Sequence, residues 1–199
     1  MLSFDATIVC GSDSFFIGAC LNIHAQFVIL HNRLKNLGTK KTDRNFDLNN
    51  EVVRCVKQHN FLLHYTNVLI HMYSIGLIFQ FFVTTYSLCI EIFIFTKRDT
   101  VGMIIGVIYC CMLTSQLALY CFPADAVNDI SEQCAEAIYS CPWYDNSPEL
   151  KHVVMNCMQR SHKRLIFTAG GLIDIDKRAF TKIFKGILSL NTLMKNVFE

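Results

Sequence analysis

Three long stretches of this chain contain no Asp, Glu, Lys or Arg: Ser14 to Asn32, Gln58 to Ile90, and Thr100 to Ala124. A helix needs about 20 mostly apolar residues to cross a bilayer. The second and third stretches meet that need, with centres reading NVLIHMYSIGLIFQFFVTTYSLCI and VGMIIGVIYCCMLTSQLALYCF. The first, SFFIGACLNIHAQFVILHN, is shorter and more polar, and fits either a span or a buried helix of a larger protein. A fourth apolar run, Leu165 to Ile173, meets the charged segment DIDKR (174–178) and then AFTKIFKGILSLNTLMKNVFE, which Lys182, Lys185 and Lys195 interrupt. Gly170-Gly171 breaks a helix here. The pattern predicts an all-α membrane protein with about four transmembrane helices. Five approximate helices make up this pattern: 14–35, 58–93, 100–122, 149–169 (from the cytoplasm into the membrane) and 176–197. Cytoplasmic loops are expected at 36–57 and 123–148. The last helix reads either as a membrane helix with one wet face or as an amphipathic helix on the membrane surface.

Loop charge orients these segments. Residues 33–57 hold seven Lys/Arg, and residues 123–164 hold four, with Arg160, Lys163 and Arg164 just before the last segment. Residues 91–99 hold only Lys97 and Arg98, balanced by Glu91 and Asp99. The positive-inside rule therefore puts 33–57 and 123–164 in the cytoplasm, and the first and last residues of this chain outside. Within the second loop, Ala126, Ile130, Cys134 and Ile138 recur at helical spacing after a stop expected at Pro123. Ser147-Pro148 offers an N-cap and a first-turn proline for the helix that follows.

Composition narrows the function classes. Of 199 residues 52% are hydrophobic and only 17% charged, against about 25% charge in a typical soluble domain. The net charge of +2 supplies no field for nucleic acid. Ten cysteines include no C-x-x-C pair, so zinc and redox motifs are not indicated. Cys20, Cys89, Cys110, Cys111 and Cys121 lie in or beside apolar runs and read as small buried hydrophobes. His24, His31, His59, His64 and His71 are scattered without paired carboxylates, so hydrogen bonding is favoured over metal binding. Gln80 and Ser115 fall mid-span, where polar groups commonly bridge helices. Nothing resembles a nucleophile elbow, a P-loop or a zinc-protease helix, and no enzyme, cofactor or metal site is indicated.

The last 80 residues carry a recognisable series: YCFPADAVNDIS (120–131), AEAIYSCPWYD (135–145) and MQRSHKRLIFTAGGLIDIDKRAFTKIFKGILSLNTLM (158–194). With HAQFVILHNRL (24–34) and KQHNFLLHYTNVL (57–69) upstream, the chain resembles the insect odorant receptor family. Members are seven-helix, odorant-gated, non-selective cation channels. A tuning subunit joins a common co-receptor in a hetero-oligomer, a tetramer, in the plasma membrane of sensory neurons. By that resemblance this chain is the last four helices of a receptor. The resemblance implies that small volatile hydrophobic odorants bind between the outer halves of the helices, and that membrane lipid surrounds them. It implies a cytoplasmic subunit anchor that includes Tyr139, Trp143 and Arg160. It implies a pore lined by the last helix, with Leu193 and Val197 at a hydrophobic constriction and Asn196 as a polar pore residue. Leu188-Ser189-Leu190-Asn191 departs from the family's Ser-Tyr-Ser-Tyr-like run. Lys195 near the gate is also atypical; snorkelling to the outer interface accounts for it better than a lumenal position.

Thr84, Thr85 and Tyr86 fall in the outer half of the second span, and Tyr109 and Met112 in the third. Packing and pocket lining are both open for these five, because odorant pockets are themselves mostly apolar. Two other classes fit the membrane pattern. A transporter half would need a repeat or broken helices, hinted at only by Gly170-Gly171. A non-conducting assembly protein would leave Leu193 and Val197 without a role in permeation.

Overall fold

The computed structural model describes the backbone of residues 2–39, 45–95, 99–140, 148–161 and 165–198, and side chains over 10–36, 50–95, 99–140, 148, 151–159 and 165–192. Five helices and one short hairpin follow in order: α1 (Leu2–Thr39), α2 (Asn45–Phe95), α3 (Thr100–Ser140), α4 (Pro148–Ser161), β1 (Thr168–Ala169), β2 (Ile173–Asp174) and α5 (Lys177–Phe198). Cys10–Asn36, Asn50–Phe95 and Thr100–Ser140 are each long and apolar enough to cross a membrane. Two compact units form: residues 1–70 with 126–166, and residues 71–125 with 167–199.

The helices outrun the uncharged stretches that marked them. Residues 45–57, expected in a loop, are the first turns of α2. Val52, Cys55, Val56 and His59 form a buried stripe there, while Arg54 pairs with Glu51 on the wet side at 3.6 Å. Charge on one face does not end a helix whose other face is buried. Pro123 does not end α3 either. Tyr120, Cys121, Ala124, Val127 and Asn128 are buried on both sides of it, and that packing outweighs the missing backbone hydrogen bond. The second expected loop is therefore helical as far as Ser140.

In the first unit, α1 buries Phe16, Cys20, Ile23, Phe27, Leu30 and Leu34, a stripe at helical spacing. The Cys134 thiol of α3 donates to the Phe27 carbonyl at 3.2 Å, and the His31 ring meets the Gln133 carbonyl at 3.3 Å. His59 of α2 is fully buried, edge-on to Phe27 with ring centroids 6.0 Å apart and 3.5 Å from the Cys157 sulfur of α4. Three helices thus meet at His59. Cys55, Cys134 and Cys157 are buried as well, whereas Cys111 is exposed and Cys89 and Cys110 are half-buried, so Cys111 does not pack as an interior residue.

The segment expected as helix 149–169 is not one helix: α4, of the first unit, ends at Ser161, and the second unit resumes with the β1–β2 hairpin. Thr168 pairs with Asp174 and Ala169 with Ile173, antiparallel. Gly170 and Gly171 make the turn with φ of 60° and 71°, values that L side chains rarely adopt. The Gly170 amide donates to the Ser74 carbonyl of α2 at 2.9 Å. A Cβ on Gly170 would lie 2.6 Å from Ile78 Cδ1. Asp176 then caps α5: its Oδ1 accepts from the Ala179 amide at 2.6 Å. Lys177 reaches Asp125 of α3 at 2.6 Å. Phe180 stacks on Phe184 (6.3 Å) and meets Phe122 (5.8 Å).

Gly170→Ala is expected to lower stability by about 1–3 kcal/mol through left-handed backbone strain, and Asp176→Ala by about 1 kcal/mol through loss of the cap. Thermal unfolding of the detergent-solubilised protein measures both. An unchanged Gly170→Ala midpoint would contradict the turn geometry.

Candidate functional site

The face of α2 that ends in Ile94 repeats Phe82, Thr85, Tyr86, Cys89, Ile90, Phe93 and Ile94. Their spacing of three and four residues puts all seven side chains on one side of the helix. With Leu190 of α5 they line a groove of about 610 Å³. Ligand pockets commonly span about 300–1,000 Å³. The lining is aromatic and aliphatic, and the Thr85 hydroxyl, Tyr86 phenol and Cys89 thiol are its side-chain hydrogen-bonding groups. Such a surface suits a small, mostly apolar molecule with one or two polar atoms.

The structure brings together two of the five candidates for ligand contact, Thr85 and Tyr86. Tyr86 is 69% exposed, so its ring is available rather than packed. Thr84 is buried, and Gln80 donates to its hydroxyl at 3.5 Å. Tyr109 and Met112 are exposed on the first turns of α3 and do not line this groove. Phe82, Cys89, Ile90, Phe93, Ile94 and Leu190 were not singled out from sequence as ligand contacts. The aromatic recurrence at 82, 86 and 93 was a signal for them.

Gln80, expected to bridge helices, donates to Thr84 of its own helix, and three mid-span hydroxyls bond within their own helices too. Ser115 donates to the Met112 carbonyl at 2.8 Å, Thr114 to Cys110 at 2.7 Å and Thr66 to Leu62 at 2.7 Å. A hydroxyl in apolar surroundings finds the carbonyl one turn back before any neighbour.

Along α5, Ala179, Ile187 and Asn191 are buried, while Arg178, Lys182, Lys185, Ser189 and Thr192 are exposed. Exposure is not confined to polar residues, since Phe184, Leu188 and Leu190 are exposed too. Among the described residues, neither amide atom of Asn191 has a hydrogen-bond partner. Leu193, Asn196 and Val197 lie on the α5 backbone, and their side chains fall outside the described residues.

A second cleft, of about 540 Å³ in the first unit, has a mixed lining: His31, Leu34 and Lys35 of α1 face Gln133, Glu136, Ala137 and Ser140 of α3. Tyr139 beside it is 68% exposed. Trp143 lies outside the described residues, as does the Arg160 side chain. Among the described residues no group of three His, Cys, Asp or Glu is placed to hold a metal ion.

Three membrane-length helices, extended helical ends and a short hairpin define a multi-pass, all-α membrane protein. The family model for the 7tm odorant receptor matches residues 1–188, and the chain belongs to that family. It is 22% identical to odorant receptor 42b of Drosophila melanogaster over 189 residues, covering 94% of this chain and 47% of that protein. To odorant receptor 22c of the same organism it is 21% identical, covering 76% and 40%. To the odorant receptor coreceptor of Anopheles gambiae it is 24% identical, covering 67% and 28%. The fold matches the insect olfactory receptor OR5 from Machilis hrabei in complex with eugenol, with a TM-score of 0.80 at 16% identity, covering 94% of this chain and 48% of that one. The chain spans about half the length of these two Drosophila receptors and of OR5.

Asn191→Leu is expected to raise stability by about 1–3 kcal/mol, because it removes a buried amide with no partner. Thermal unfolding in detergent reads this directly, and a lowered midpoint would show that the amide is paired.

Proposed function

We propose that this chain is the odorant-binding and pore-forming part of an odorant-gated, non-selective cation channel. It would work in the plasma membrane of sensory neurons as a tuning subunit assembled with a common co-receptor. The observation that carries the reading is the apolar groove of Phe82, Thr85, Tyr86, Cys89, Ile90, Phe93, Ile94 and Leu190 in a chain of this family. Loop charge orients α2 outward, which puts the groove in the outer half of the membrane, open to small hydrophobic odorants. A solved relative of the same fold holds eugenol, a small molecule of this chemical kind.

Thr85 and Tyr86 would be the polar contacts of that groove, with Thr84 holding the helix from behind. Tyr109 and Met112 would face lipid or another part of the receptor. The exposed polar side of α5 supports a wet, pore-lining role. Leu193 and Val197 would close the pore by dewetting, with Asn196 beside them. Tyr139, Trp143 and Arg160 would belong to the cytoplasmic subunit anchor.

The test is odorant-evoked current from the receptor polypeptide that carries these residues, co-expressed with the co-receptor. Tyr86→Ala is expected to raise the half-maximal concentration of an activating odorant roughly tenfold, the equivalent of one lost aromatic contact. Met112→Ala should leave it near the starting value. Leu193→Ala should raise the resting current. A receptor that reaches the surface yet gives no current to a broad odorant panel would overturn the channel reading.

A further inference from the structure

At 100° per residue, Arg178, Lys182, Lys185, Ser189 and Thr192 all fall within about 40° of one line along α5. All five are exposed, and Asn196 continues the same line by position. Ile187 and Asn191 lie on the opposite side and are buried, with Ala179, also buried, about 100° round. α5 carries Lys177, Arg178, Lys182, Lys185 and Lys195 and no Asp or Glu. Lys177 is drawn aside to Asp125. Among the described residues, no acidic side chain pairs with Arg178, Lys182 or Lys185. Hydrocarbon would not accept three cations on successive turns of one face, so this face meets water or headgroups. Ser189 and Thr192 extend the polar line beyond the reach of the inner headgroups: Thr192 stands roughly 20 Å along the axis from Arg178 at 1.5 Å per residue. A face that stays polar over that distance is a water-facing wall.

We propose that Arg178, Lys182 and Lys185 give this subunit a basic inner pore wall that selects against divalent cations relative to monovalent ones. The inference rests on the pore-lining reading of α5. Rings of acidic side chains favour cations in channels, and basic ones oppose them. A fixed positive charge raises the energy of a divalent ion twice as much as that of a monovalent ion. At water-like dielectric and a separation of about 8 Å, one lysine changes the divalent-to-monovalent ratio by about twofold, less where salt screens it. The acidic charge that makes the whole pore cation-conducting would then come from the partner subunits.

The experiment measures the Ca²⁺-to-Na⁺ permeability ratio from bi-ionic reversal potentials of odorant-evoked current. It uses the full receptor polypeptide with its co-receptor, and surface density is quantified in parallel. Lys182→Gln with Lys185→Gln should raise the ratio at least about twofold, and Lys182→Arg with Lys185→Arg should leave it unchanged. Lys185→Gln alone gives the same sign of shift where the double variant fails to reach the surface. Leu193→Ala serves as the control for the pore reading. If Leu193→Ala alters resting current while the Gln variants leave the ratio unchanged, the basic wall is overturned and the pore reading stands. If neither substitution alters permeation or resting current, both fall. Gln variants with lower surface density and an unchanged ratio would mark the face as a headgroup contact and overturn the proposal.

Discussion

A backbone amide or carbonyl that enters hydrocarbon must find its partner inside the protein, because no water is there to replace it. Each unmet group costs several kcal/mol, and that requirement shapes the chain from α1 to α5. It keeps the apolar spans of α2 and α3 helical, and packing of a buried face carries the two helices on to 51 and 41 residues, past Pro123 in α3. It explains why Thr66, Thr114 and Ser115 bond to carbonyls of their own helix. It also limits how the chain can depart from helix at all. Between α4 and α5 the backbone pairs with itself in the β1–β2 hairpin, and its turn is pinned to α2 through the Gly170 amide and the Ser74 carbonyl. The glycines there provide the φ values that let so short a strand pair close.

The same requirement determines what could be read from sequence. Uncharged stretches located α2, α3 and most of α1, because lipid excludes charge wherever a helix faces it. Charge patterning misjudged the helix ends, since beyond the bilayer a helix tolerates Arg54 and Glu51 on one face while Val52 and Val56 are buried on the other. Spacing of Ala126, Ile130, Cys134 and Ile138 revealed helix in the second loop, yet the general rule for proline hid its continuity with α3. The hairpin was legible only as a glycine break, because strands of two residues carry no periodicity.

The groove was half legible for a different reason. Thr85 and Tyr86 stand out because a polar group in a span invites explanation. Phe82, Ile90, Phe93 and Ile94 do not, because a residue that touches lipid and one that touches an apolar ligand face the same chemistry. Among the described residues, Leu190 of α5 completes the lining of that face, and no local pattern on α2 encodes Leu190.

α5 brings these lines together. Its buried side is held by Ala179 and Ile187, by the ring of Phe180 against Phe122, and by the Asp176 cap. That anchorage fixes the rotation of the helix about its own axis, and rotation decides which residues meet the groove and which meet water. Leu190 then serves the groove while Lys182, Lys185 and Ser189 occupy the polar side. Under the proposed function, a ligand that presses on Leu190 would bear on the same helix that carries the polar stripe, centred about 120° away at 100° per residue. On that proposal, coupling between the groove and the pore would need no long chain of intermediaries, because one residue of α5 lines the groove and the next two turns toward its end carry Leu193, Asn196 and Val197.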